Sequence, residues 1–372
     1  MWTLPRKLLP RLIRTACGPV IVLLSLLSAG CGTPAPSARL VTSSCLPVDG
    51  QHEITLSIPA SATGTLRVGI EERGVTLVAL LDDAQATEAT SPLERFGTIF
   101  LVTDTTGSQS HSVRIRAHDS PDVKGEFCLA AYLVPSPQSA LAQADTAFAR
   151  GGRATQMQDW PEAFEAYREA ARRFDRLARR THAAMARQAM AELAYRRFDR
   201  KRDAYALAAQ ALSDYGDGAD PIFKGLLTGL RANSLIETPG NDTQAVAAQV
   251  RALLAKARQY DSASRFGGRE LPRLDIMRGY LEYSLDALAP ASAAFKQAVQ
   301  QCREIGDWAC YAIASQDLAS LDEGTDFQAA MAAYTDALRH LPTGLEPKLR
   351  ADISNNLGRL QGRVGLFSAS ER

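Results

Sequence analysis

Cysteines are the residues whose spacing most constrains their chemistry, and the chain of 372 residues contains six. Cys45 and Cys128 bracket a strand-rich segment, and Cys302 and Cys310 flank a predicted turn. In an exported protein either pair could form a disulfide; reduced core cysteines are the alternative. No two cysteines have the C-x2-4-C spacing of a structural zinc site, and the five histidines are scattered, so no metal is expected.

The sequence contains no motif that is typical of a catalytic site. Beyond the N-terminal segment there is no G-x-S-x-G, no P-loop, no H-E-x-x-H and no Cys/His pair of the caspase kind. The formal net charge of +1 and a charged fraction of 22% give no reason to expect a nucleic-acid partner. We therefore predict no catalytic residues and no cofactors, and a binding function.

The N-terminal segment 1–31 combines a basic start, a short apolar run over 20–27 and three small residues before Cys31. The small residues followed by cysteine resemble the lipobox of bacterial lipoproteins, which implies lipidation of Cys31. A plain signal peptide and an uncleaved anchor are the alternatives. In a Gram-negative organism, Gly32 in the place of the aspartate that retains enteric lipoproteins in the inner membrane favours the outer membrane, facing the periplasm. Segment 32–44 is rich in Pro, Ser and Thr and predicts a flexible linker.

Segment 45–135 alternates apolar and polar residues with a period of two, interrupted by Gly, Asp, Ser and Pro. This pattern predicts strands over 52–58, 65–72, 75–81, 98–103, 111–117 and 126–134. Short strands of this kind predict a small antiparallel β-sandwich or jelly roll.

From residue 138 onward the period becomes helical, with helix starts that Asp159, Asp242 or Thr243, and Asp326 can cap. Ala330 and Ala337 bracket Tyr334 on one helix face, and Pro342 ends the unit. Related spacings recur at Ala163, Tyr167 and Ala170, at Ala204, Ala208 and Ala211, and at Ala291, Phe295 and Ala298. Repeats of about forty residues, each a helix pair, predict an α-solenoid over 138–372. The expected fold class is therefore multidomain, β followed by all-α.

These repeats resemble the tetratricopeptide (TPR) family. The strand segment before them, with RVGIEERGVTLVALLDD and FGTIFLV, is similar to the β module that precedes TPR arrays in bacterial CHAT proteins, and to prepeptidase C-terminal modules. The resemblance implies a membrane-anchored scaffold that binds a protein or peptide. The alternative is the regulatory part of a CHAT-type cysteine peptidase, because the chain stops within a repeat and could belong to a longer protein.

In TPR arrays, side chains of the first helix of each repeat line the peptide groove, and the resemblance implies the same here. The matched positions are Arg273, Tyr280 and Tyr283 in one repeat and Asn355, Asn356 and Arg359 in the last. Asparagine can donate to and accept from a peptide backbone, and arginine can bind a carboxylate through two hydrogen bonds. Packing or solvated residues are the alternative. The basic segment 168–202 is interpreted as a solvated helix face, with an acidic partner or anionic lipid as the alternative.

Overall fold

The computed structural model describes residues 38–363, apart from short gaps at 50–52, 61, 83–87, 94, 108, 120–121, 136–138, 218, 265, 325 and 344–345. Segment 1–31 with Cys31, most of the predicted linker, and residues 364–372 lie outside the described residues. The described residues belong to one compact unit. Within them, eight strands come first and eleven helices follow, so the predicted order of β then all-α is confirmed.

Two four-stranded antiparallel sheets contain the strands, with orders β1-β8-β3-β6 and β2-β7-β4-β5. The strands are β1 Arg39–Asp49, β2 Glu53–Ala60, β3 Gly64–Arg73, β4 Leu77–Leu81, β5 Ala89–Thr90, β6 Thr98–Thr105, β7 Gln109–Ala117 and β8 Lys124–Val134. Each of the six predicted segments overlaps one of the strands β2, β3, β4, β6, β7 and β8, because a strand with one buried face alternates apolar and polar residues.

One apolar core joins the two sheets. Leu66, Val68 and Ile70 of β3 are fully buried and belong to the same cluster as Val113 and Ile115 of β7. Since successive side chains of a strand point to opposite faces, these residues share one face of each sheet. The hydrophobic effect therefore holds the sheets together through the inward face of each.

Strand β1 begins at Arg39, inside the segment predicted as a linker. It pairs along its length with β8, and Cys45 lies directly opposite Cys128 in that register. Most β1 side chains are exposed or half-buried, and its apolar residues do not alternate regularly with polar ones. Backbone hydrogen bonding to β8 and the disulfide, more than burial, hold this segment as a strand.

The helices start at residue 140 and continue to 363. They are α1 Ala140–Gln156, α2 Trp160–Arg176, α3 Arg180–Arg196, α4 Lys201–Tyr215, α5 Pro221–Glu237, α6 Thr243–Ala263, α7 Leu271–Ser284, α8 Leu288–Glu304, α9 Trp308–Asp322, α10 Phe327–His340 and α11 Pro347–Arg363. The predicted capping residues Asp159, Asp242 and Asp326 each accept a hydrogen bond from a backbone N–H in the first turn of their helix.

Each helix packs against its neighbours in sequence, and the repeated small residues lie at these contacts. Ala330, Tyr334 and Ala337 are fully buried. At Gly151 an added Cβ would lie 2.8 Å from the ring of Tyr167, which is closer than real Cβ contacts. Glycine there lets α1 approach the aromatic ring of α2, so the spacing of small and aromatic residues sets how closely paired helices pack.

Contacts also connect helices that are two apart in sequence. Helix α3 contacts α5, α5 contacts α7, α7 contacts α9 and α9 contacts α11, and these helices approach more closely than successive even-numbered helices do. The odd-numbered helices thus form a layer of their own. No helix among the described residues is long and apolar enough to cross a membrane.

Candidate peptide-binding surface

The odd-numbered layer carries the residues predicted to bind peptide. Helix α7 supplies Arg273, Tyr280 and Tyr283, and α11 supplies Asn355, Asn356 and Arg359. Between them lies α9, whose first turn is capped by Asp307 through a hydrogen bond of 3.0 Å from the backbone N–H of Cys310. The three helices meet side by side, so residues far apart in sequence come together on one surface.

Tyr280 is engaged with the neighbouring helix rather than free. Its hydroxyl donates a hydrogen bond of 2.7 Å to a carboxylate oxygen of Asp317 on α9, and its ring packs edge-on against Phe295. Burial raises the pKa of Asp317 to about 7, although the Tyr280 hydrogen bond acts to lower it. Tyr280 therefore joins α7 to α9, and the Asp317 carboxyl that it contacts has a pKa near neutral pH.

Arg359 is also engaged. Its guanidinium donates to both carboxylate oxygens of Glu323, at 2.7 and 2.8 Å, and the hydroxyl of Tyr334 donates to the same carboxylate at 2.8 Å. Burial acts to raise the pKa of Glu323, but the hydrogen bonds from Arg359 and Tyr334 outweigh it and lower the pKa. An incoming carboxylate would have to displace Glu323 to bind Arg359.

The remaining predicted positions differ in exposure. Tyr283 is 55% exposed, Asn355 is exposed, and Asn356 is half-buried. Arg273 is half-buried and its positive charge acts on Glu270, just before its own helix. Three of the six predicted side chains are therefore open to a partner, while Arg273, Tyr280 and Arg359 interact within the protein.

The β-sheets pack onto the helices through contacts that the sequence did not indicate. Phe100 of β6 packs against Phe148 of α1, with ring centroids 4.5 Å apart and ring planes tilted by 38°. Phe96, from the loop before β6, belongs to an apolar cluster with Ala184 and Ala191 of α3. These residues are ordinary aromatics and alanines in the sequence, so no local pattern marks them as interface residues.

Two buried ion pairs reinforce this interface. Arg67 of β3 donates a hydrogen bond of 3.0 Å to Asp145 of α1, whose side chain is fully buried. Arg95, at the positive φ of 69°, binds Asp119 of the sheet region at 2.6 Å and also pairs with Asp307. One arginine thus joins the sheets to the residue that caps α9.

The start of α9 has further contacts with the loop before β8. The indole N–H of Trp308 donates a hydrogen bond of 2.9 Å to Asp122. At Gly306 (φ 72°), an added Cβ would lie 2.7 Å from the Cβ of Asp122, so the turn must present glycine here. The sheets therefore contact the helices at both α1 and α9.

Both predicted cysteine pairs are bonded in the structure. Cys45 and Cys128 link the adjacent strands β1 and β8, with Cα atoms 4.0 Å apart. Cys302 and Cys310 link the end of α8 to the first turn of α9, with Cα atoms 5.7 Å apart. Within the described part of the chain, no group of three or more His, Cys, Asp or Glu side chains could hold a metal ion.

Glu270 provides a pH-dependent element beside the sheet interface. Burial raises its pKa to about 7, against the positive charges of Arg273 and Arg95. Between pH 4.5, its ordinary pKa, and about 7, the folded protein therefore holds more of this proton than the unfolded chain. We expect the free energy of unfolding to fall as pH rises through this window, and Glu270→Gln to reduce the slope.

At pH values above this window Glu270→Gln should be more stable than the parent by up to about 3 kcal/mol, since the amide avoids a buried charge. Urea unfolding followed across the window measures this difference. Glu304→Gln, at an exposed position on α8, is the matched control. Identical slopes for the parent and Glu270→Gln would contradict the assignment.

Comparison with known proteins adds little to this geometry. No protein-family model matches the chain, and no curated protein sequence matches it. Among solved structures, the crystal structure of BtubC (BKLC) from P. vanneervenii is similar, with a TM-score of 0.43 and 16% identity over 62% of this chain and 87% of that chain. This similarity is too low to assign a fold family or a function.

Proposed function

We propose that the chain is a membrane-anchored interaction scaffold that binds a protein or peptide partner on its odd-numbered helices. Lipidation of Cys31 would attach it to the outer membrane, facing the periplasm. The regulatory part of a CHAT-type peptidase stays a prediction of the resemblance alone.

Within this proposal the two sheets form a β-sandwich and the helix pairs form a TPR-like solenoid. The sandwich is supported by the apolar cluster that residues of both sheets share. The solenoid is supported by the sequential packing of α1 to α11 and by buried small residues at helix contacts.

The closer approach of the odd-numbered helices is the observation that carries the proposal. In an array of helix pairs, the layer with the shorter spacing is on the inside of the curve, because the outer layer must cover a longer arc. The odd-numbered helices would therefore line a concave surface, which is where helical-repeat proteins hold extended partners. Polar side chains on that surface can pair with a peptide backbone, whose N–H and C=O groups need partners when buried.

The sheets limit where a partner can bind. They pack on α1 and on α3, the first helix of the odd-numbered layer. The sheets also contact the start of α9 through Trp308 and Asp307. We place the partner on α7 and α11, away from these contacts, where Tyr283 and Asn355 are exposed.

Site-specific photo-crosslinking in the cell envelope tests this placement. A crosslinking amino acid at Tyr283 or at Asn355 should give the same discrete adduct, because both positions face one partner. Asn356→Ala should reduce its yield several-fold, through the loss of hydrogen bonds worth about 1 kcal/mol each.

Lys296 and Gln300, exposed on the even-numbered helix α8, are the control positions. No adduct, or a weaker and different one, is expected from them. Equal adducts from both layers, or an unchanged yield after Asn356→Ala, would show that the odd-numbered layer is not the binding surface.

A further inference from the structure

A basic groove runs along the outer side of α2 and is closed on one side by Arg150 of α1. Its volume is about 310 Å³, and five arginines and two glutamates line it. The lining therefore has three positive charges in excess. Charged residues recur along one face of α2 while Ala163, Tyr167 and Ala170 on the opposite face are fully buried, so the helix presents these charges outward.

The two glutamates are already neutralised by arginines of the groove. Glu169 accepts a hydrogen bond of 2.7 Å from Arg150 and bonds of 2.7 and 2.8 Å from Arg173. Glu165 pairs with Arg168 one turn away. These ion pairs fix the orientation of three arginines and leave the other two with no acid of the groove to bind.

Arg172 and Arg176 are those two arginines. Both are exposed, they lie one helical turn apart on the same face, and in the described part of the chain neither forms an ion pair. Like charges at this spacing destabilise a helix slightly. Nearby on α1, burial and the charge of Arg150 lower the pKa of Arg153. The region thus has uncompensated positive charge, arranged so that one anion can accept from two guanidinium groups.

The groove lies near the point where the chain enters the described structure, because Ala38 packs against the apolar cluster that contains Ala171 and Phe174 of α2. Arg39 pairs with Leu133 at the end of β8, and α1 starts a few residues later at Ala140. Arg173 donates a hydrogen bond of 2.6 Å to Gln143 in the first turn of α1. The C-terminal half of α2, with the two unpaired arginines, is therefore beside the entry point of the chain.

We propose that this groove binds the phosphate of an anionic phospholipid headgroup in the membrane that anchors the protein. Cys31 precedes Ala38 by seven residues, a stretch that spans at most about 25 Å when extended. A lipid attached to Cys31 would hold the groove close to the bilayer surface, where phosphate diesters are the abundant anions. This geometry depends on the proposed anchor, whereas the binding chemistry depends only on the arginines.

Vesicle sedimentation tests the binding without the anchor. The chain from Pro36 onward, one compact unit by its contacts, is mixed with vesicles of phosphatidylcholine alone or of phosphatidylcholine with phosphatidylglycerol. Binding to the anionic vesicles only is expected. Arg172→Gln with Arg176→Gln should weaken it by about 10- to 30-fold, from the usual contribution of two basic residues at an anionic surface.

Arg202→Gln with Lys348→Gln removes the same charge from exposed positions elsewhere and should change the affinity little. If this control lost as much affinity for the vesicles as the groove variant, net charge alone would explain the effect and the proposal would be overturned. Equal binding to both vesicle types, or none to either, would also overturn it. Inorganic phosphate that binds to the groove while vesicles do not would assign the site to free phosphate. None of these results bears on the crosslinking at Tyr283, so the two proposals fail separately.

Discussion

Replacing Arg95 by methionine is expected to lower the free energy of unfolding by about 3–5 kcal/mol, because it leaves two buried carboxylates without their shared cation. Asp119 and Asp307 have side chains that are 5% and 3% exposed, so water cannot replace the guanidinium. Asp307 also caps α9, so an uncompensated charge there would affect both the sheet interface and the helix start. Methionine keeps a similar volume and meets the same cost at φ 69° as arginine, so the comparison isolates the charge.

Urea unfolding of the parent and variant proteins measures the loss. Arg116→Met is the control, since Arg116 of β7 pairs with Glu88 at 3.3 Å on the exposed surface and should contribute less than about 1 kcal/mol. If Arg95→Met cost no more than this control, the network would have no role in joining the sheets to the helices. A change in the slope with urea would indicate that the two parts had begun to unfold separately.

Removing the disulfide between Cys45 and Cys128 should have an effect of similar size. The two cysteines are 83 residues apart in sequence, and closing a loop of that length lowers the entropy of the unfolded chain enough to stabilise the fold by about 4 kcal/mol. The bond also holds the edge strand β1, whose side chains are mostly exposed and supply little apolar burial. We therefore expect the paired serine variant to lose about 2–5 kcal/mol in chemical denaturation.

The second disulfide is the internal comparison for this prediction. Cys302 and Cys310 are only 8 residues apart, so their paired serine variant should lose about 2 kcal/mol from loop closure. A larger loss from the shorter loop would show that loop entropy is not what determines the two contributions. Amide exchange should further show β1 opening first in the Cys45→Ser and Cys128→Ser variant, since backbone pairing alone would hold that edge.

The residues of the proposed peptide surface show what a local sequence pattern can and cannot predict. Tyr283 and Asn355 lie on helices α7 and α11, as the helical periodicity predicts. The same periodicity predicts Tyr280 and Arg359 on these helices, but it could not indicate that Asp317 of α9 and Glu323, which follows α9, would bind them. Partners across helices depend on how whole pairs stack, which no local pattern encodes.

The sequence by itself determined the order of β then α, six of the eight described strands and the helix starts at Asp159, Asp242 and Asp326. Alternation, periodicity and capping are properties of neighbouring residues, so they can be recognised without the fold. Only the tertiary structure decided that an edge strand begins at Arg39 and that the sheets pack on α1 and α3. Both depend on pairing between segments far apart in the chain. Their stability comes from backbone hydrogen bonds, shared apolar burial and the ion pairs of Arg67 and Arg95, which exist only once those segments meet.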